Sequence, residues 1–101
     1  MFKVIIDIDA LKDIQEATYW YNKIVKGLGT RFQKQVKKQI KILKTQPTTF
    51  SIRYSNVRCM LIKKFPFLVH FTIDKQLHTV VVFAVIHTSR NPLIWDENRN
   101  R

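Results

Sequence analysis

Val80-Val81-Val82-Phe83-Ala84-Val85-Ile86, read on into His87-Thr88-Ser89-Arg90-Asn91-Pro92-Leu93-Ile94-Trp95, is an apolar strand that runs into a compact group of His, Arg and Trp. A strand that is apolar on both faces belongs in the middle of a sheet. Upstream, Phe67, Val69, Phe71 and Ile73 alternate onto one face, and Asp74-Lys75-Gln76-Leu77 reads as the turn before the last strand. Residues 51–54, 57–65, 67–74 and 78–86 are therefore predicted strands, and such short connections make them antiparallel.

Before Pro47 the period is helical. Residues 2–9, rich in Val and Ile, predict a short first strand, and Asp9 is the expected cap of the first helix. Over residues 10–26, Leu11, Ile14, Thr18, Tyr21 and Val25 share one face, with Ala17 and Ile24 beside them. Trp20, on the margin of that arc, reads as packing. Gly27-Leu28-Gly29 is expected to end this helix, glycine being tolerant of left-handed backbone. Thr30 is the expected cap of a second helix over residues 31–45, with Phe32, Val36, Ile40 and Leu43 on one side and Lys34, Lys37, Lys38, Lys41 and Lys44 on the other. Pro47 stops it. The prediction is an α+β fold: an N-terminal strand and an antiparallel helical hairpin packed on a mainly antiparallel sheet of four or five strands. One domain covers residues 1–101.

At 46% hydrophobic residues this is a folding sequence, yet no apolar run is long enough to span a bilayer. Asp7 and Asp9 interrupt the apolar start, which does not read as a secretory signal. The single cysteine, Cys59, suits a reducing cytoplasm. Net charge is +11, from 18 basic and 7 acidic residues, and it is unevenly spread. Asp7, Asp9, Asp13 and Glu16 open the chain, and no acid follows until Asp74. Such a field favours an acidic partner: nucleic acid, a ribonucleoprotein or an acidic protein.

The enzymatic templates are missing. There is no nucleophilic serine motif, no phosphate-cradling glycine loop and no paired-carboxylate site, and His70, His78 and His87 are too scattered to suggest a metal. No cofactor is implied. A base-rich chain can still cleave RNA by 2′-hydroxyl attack, with His moving the proton and Arg or Lys stabilising the phosphate. His87, Arg90, Arg58, Lys63 and Lys64 are the residues for that chemistry. All but Arg58 also have a structural reading. His87 ties down the tail, Arg90 pairs with Asp96 or Glu97, and the lysines are solvated charge at a sheet edge. Trp95 covers the core or, alternatively, stacks on a base. The second helix's lysine stripe is a solvated face or a landing surface for phosphates.

Asp13-Ile14-Gln15-Glu16-Ala17 with Trp20-Tyr21, Gly27-Leu28-Gly29 with Arg31-Phe32, Arg58 through Lys63-Lys64-Phe65-Pro66-Phe67 to Ile73-Asp74, and His87-Thr88-Ser89-Arg90-Asn91-Pro92 with Trp95 succeed one another in this order. In combination they resemble the RelE/ParE superfamily of type II toxin–antitoxin toxins, especially the branch called plasmid stabilisation proteins. The resemblance implies a small, basic, cytoplasmic bacterial toxin neutralised by a cognate antitoxin. RelE-like members cut mRNA on the ribosome without a metal; ParE-like members poison DNA gyrase. By position, Arg58, Lys63, Lys64, His87, Arg90 and Trp95 are the target-binding candidates, and His87, Arg90, Arg58 and Lys64 the catalytic ones for a nuclease. The strand that begins with an arginine in RelE-like nucleases reads Phe65-Pro66-Phe67-Leu68-Val69 here, and the C-terminal aromatic is Trp95, which has no acidic hydroxyl. Both departures favour a ParE-like inhibitor of gyrase over a ribosome-dependent nuclease. A toxin-derived module that only binds its partner is the third reading.

Overall fold

The computed structural model describes residues 1–90. In chain order it contains β1 (Lys3–Ile6), α1 (Ile8–Ile24), α2 (Leu28–Ile40), two short 3-10 turns (Lys41–Lys44 and Pro47–Thr49), β2 (Ile52–Tyr54), β3 (Val57–Leu61), β4 (Phe67–Asp74) and β5 (Thr79–His87). The strands form one sheet in the order β1-β5-β4-β3-β2. The doubly apolar β5 is interior, as its sequence requires, with β1 parallel on one side and β4 antiparallel on the other. β2, β3 and β4 pair antiparallel.

Both helices cover one sheet face. Ala10, Ile14, Ala17 and Tyr21 of α1 and Phe32, Val36 and Ile40 of α2 are buried against Met60, Val69, Phe71, Val80, Val82 and Val85. The buried stripe of α1 is rotated from the one the periodicity suggests: Leu11, Ile24 and Val25 are exposed. The apolar arc of α1 is wider than the area that β5 and α2 can cover.

The caps also differ from expectation. Asp7, not Asp9, accepts from Ala10 N at 3.0 Å and opens α1. Helix α1 ends at Ile24, and α2 begins at Leu28 rather than after Thr30. Its start is satisfied from outside: Gly29 N donates to Asn22 Oδ1 of α1 at 2.8 Å. The two glycines serve different ends. Gly27 turns the chain at φ 84°, whereas Gly29 is buried where the helices touch.

Residues 62–66, expected partly as strand, form the β3–β4 turn. Ile62 N donates to Phe67 O, and Phe65 N to Ile62 O, so Lys63 and Lys64 sit at the turn's tip. The buried side chain of Gln39 holds this turn to α2. Its Nε2 donates to Leu61 O and its Oε1 accepts from Lys63 N, both at 2.8 Å.

Candidate functional site

The path to the site begins with a break in the β4–β5 register. Phe71 faces Val82, but His70 faces Ala84, so Phe83 is an extra residue in β5. Before this bulge Val80 and Val82 point toward the helices; after it Val85 does, and His87 comes two residues on. The bulge thus delivers His87 to the helix side of the sheet.

There it meets one stripe of α1. Asp13, Glu16, Ala17 and Trp20, spaced to share a helix face, form one wall of an open groove of about 370 Å³. Phe67 and Val85 give it an apolar floor, Ile86 also lines it, and His87 and Arg90 form its other end. Trp20 is 54% exposed, so its ring is presented to the groove rather than spent on the core.

His87 is fixed in place. Its ring lies edge-on to Phe67 at 5.4 Å. Its Nδ1 accepts from Ser89 N at 3.0 Å and lies 2.8 Å from Ser89 Oγ. A nitrogen that accepts a backbone N–H carries no proton, so with that bond made the neutral ring carries its proton at Nε2. Arg90 N donates to His87 O at 3.0 Å, and Thr88 N to Pro66 O at 2.8 Å, which binds the strand end to the β3–β4 turn.

The other candidates are distributed elsewhere. Lys63 and Lys64 line a second groove, of about 420 Å³, with Leu28, Arg31, Lys34, Gln35, Lys38 and Phe65. Arg58 donates from one guanidinium nitrogen to Phe50 O at 2.7 Å and Thr48 O at 3.3 Å, clamping the segment that leads into β2. Trp95 lies outside the described residues, as do Asp96 and Glu97. Among the described residues no three His, Cys, Asp or Glu side chains are grouped to hold a metal. No helix among them is long and apolar enough to cross a membrane. Cys59 and His70 are buried neighbours on the sheet face away from the helices; His70 Nδ1 lies 2.9 Å from Tyr54 Oη and 3.6 Å from Cys59 Sγ. Burial pushes the Cys59 thiol up to about 11, with the charge of Arg53 opposing part of the rise.

Residues 4–92 match the profile of the family described as ParE toxin of type II toxin-antitoxin system, parDE. The chain belongs to that family. No curated protein matches this ParE-family chain in sequence. Among solved structures, a chain of the chromosomal ParDE system from P. aeruginosa superposes with a TM-score of 0.78 at 13% identity, over 88% of this chain and 98% of that one. The intact E. coli RelBE toxin–antitoxin complex gives 0.68 at 16% identity, covering 89% and 100%. The isolated E. coli RelE toxin gives 0.67 at 14% identity, covering 99% and 98%. At such identities the likeness is one of fold, and the fold is the RelE/ParE toxin fold.

Three features of this ParE-family groove are not evident from sequence. By periodicity Trp20 belongs to packing, Asp13 and Glu16 are only part of a charge pattern, and nothing marks the bulge. The one available signal is the spacing of Asp13, Glu16 and Trp20 along a single helix stripe.

Proposed function

We propose that this ParE-family toxin arrests growth by binding a protein target, DNA gyrase, through the groove between α1 and the end of β5, and that a cognate antitoxin neutralises it in the cytoplasm. Family membership supports the toxin role, and the structural neighbours, which include toxin–antitoxin complexes, support the antitoxin.

The observation that carries the reading is the groove's chemistry. His87 and Arg90 share it with the carboxylates of Asp13 and Glu16. Two carboxylates repel a scissile phosphate, whereas a mixed set of charges around an apolar floor and an exposed Trp suits a protein surface. While Nδ1 accepts from Ser89 N, the neutral His87 ring carries its proton at Nε2, which suits it to donate to a protein partner rather than to take a proton from a 2′-hydroxyl. The remaining cations of the nuclease set, Arg58 and Lys64, do not line this groove.

The test adds the purified toxin to a gyrase supercoiling reaction and, separately, to a translating ribosome extract. The expected result is loss of supercoiling or accumulation of cleaved DNA, with mRNA intact. mRNA cut at translated codons, with gyrase unaffected, would overturn the proposal.

A further inference from the structure

Two clusters of cations far apart in sequence meet across the second groove. Arg31, Lys34 and Lys38 lie on one face of α2, spaced by three and four residues. Lys63 and Lys64 stand opposite them on the β3–β4 turn. Among the described residues no carboxylate lines the groove. The other α2-side lysines, Lys37, Lys41 and Lys44, lie outside it, so the groove gathers only part of the lysine stripe.

The opposing bank is fixed through its backbone. Gln39 anchors Lys63 N from beneath, with Gln35 Nε2 donating to Gln39 Oε1 at 2.7 Å. Lys64 adopts φ 70°, a left-handed conformation that glycine takes freely and that crowds the Cβ of a lysine. Five like charges converging on one groove also repel one another, and a polyanion relieves that repulsion.

The geometry points to a groove that takes the phosphodiester backbone of duplex DNA. The floor argues for a duplex over a single strand. Its aromatic residue, Phe65, is half-buried and engaged edge-on with Tyr21 at 5.3 Å and Phe32 at 5.2 Å. Partly buried and held against two other rings, it is a poor platform for an unstacked base. What remains is contact with phosphates, which positions a duplex without reading its sequence. Choosing DNA over RNA rests on the gyrase reading, since a toxin seated on gyrase lies beside the duplex that gyrase handles.

The test measures binding of the full chain to a fluorescent 20-base-pair DNA duplex, without gyrase, over a range of salt. The groove variant carries Lys34→Gln, Lys38→Gln, Lys63→Gln and Lys64→Gln. The control carries Lys12→Gln, Lys23→Gln, Lys41→Gln and Lys75→Gln, which removes the same charge elsewhere. The groove variant should lose about tenfold or more in affinity, and its salt slope should shrink by about three. The control should change affinity by less than about threefold. Equal losses in the two variants, or tighter binding to single-stranded DNA or to RNA than to the duplex, would overturn the inference. So would a groove variant that keeps its DNA affinity and loses only its affinity for the antitoxin. A toxin that binds duplex through the groove but leaves gyrase active refutes the gyrase reading alone. One that inhibits gyrase but does not bind duplex refutes this inference alone.

Discussion

Asp13 Oδ2 accepts a hydrogen bond from Val85 N at 2.9 Å, joining residues 72 apart in the chain. Strand β1 accompanies β5 only as far as Val82, where Asp7 N donates to Val82 O. Beyond that point α1 supplies the acceptor that β1 no longer can. The same carboxylate lines the groove with His87 and Arg90, so one side chain links the sheet's edge to the candidate site.

Replacing Asp13 tests that link. Asp13→Ala leaves the Val85 N–H without this acceptor and should cost about 1–3 kcal/mol. Asp13→Asn keeps an oxygen in place and should cost less. Urea unfolding measures both, as a shift in midpoint at unchanged m-value. An alanine variant with the parent's midpoint would mean that the bond contributes nothing to stability.

The two glycines between the helices should respond in different ways. A Cβ on Gly29 falls against the Thr18 carbonyl oxygen and 2.7 Å from Asn22 Cγ, so the hairpin must open to admit it. Gly29→Ala should cost about 3 kcal/mol or more, the upper range for overpacking. A Cβ on Gly27 meets nothing within 4 Å, and only its left-handed backbone resists substitution. Gly27→Ala should therefore cost about 1 kcal/mol. Thermal melts of the two variants check the order, and the reverse order would show that the close approach at Gly29 is absent in solution.

Cys59 predicts an alkaline limit. Burial holds its thiol up to about 11, above the ordinary value of 9.0. The folded state thus favours the neutral thiol, its contribution to stability is complete below pH 9, and it is lost as pH rises toward 11. At pH 8 roughly one part in a thousand of the folded protein is thiolate, so alkylation by iodoacetamide should be slow until the chain unfolds. Cys59→Ala should remove this part of the stability loss between pH 9 and 11. Fast alkylation of the folded protein at about pH 8 would contradict the burial.

The elements legible in the sequence are those set by long apolar periods. The helix face of Phe32, Val36 and Ile40 and the interior position of β5 follow from patterning alone. The bulge at Phe83 does not, because β5 is apolar on both faces and a one-residue slip leaves its pattern unchanged. Gln39 sits in the polar half of α2's composition, and only the turn packed over it makes it a buried strut. For the same reason sequence position groups Lys63 and Lys64 with His87 and Arg90 as one set. Which cations share a groove depends on where a turn lands, and that is settled by tertiary contacts absent from local spacing.

His87 offers the sharpest separation of the two toxin chemistries. Held by Ser89 N, it presents Nε2–H as a donor. If that donor binds a target protein, His87→Ala removes one hydrogen bond, about 0.5–1.5 kcal/mol, which is a loss of about two- to tenfold in affinity. His87→Gln, whose amide nitrogen reaches the position of Nε2, should recover most of the loss. If His87 is instead a general base, both variants lose about 10²- to 10⁴-fold in rate, since an amide cannot accept a proton. Growth inhibition by the two variants, with folding checked by circular dichroism, should show glutamine near the parent and alanine below it. Equal and near-complete loss in both would move His87 from target binding to proton transfer, and the toxin with it from a gyrase inhibitor to a nuclease.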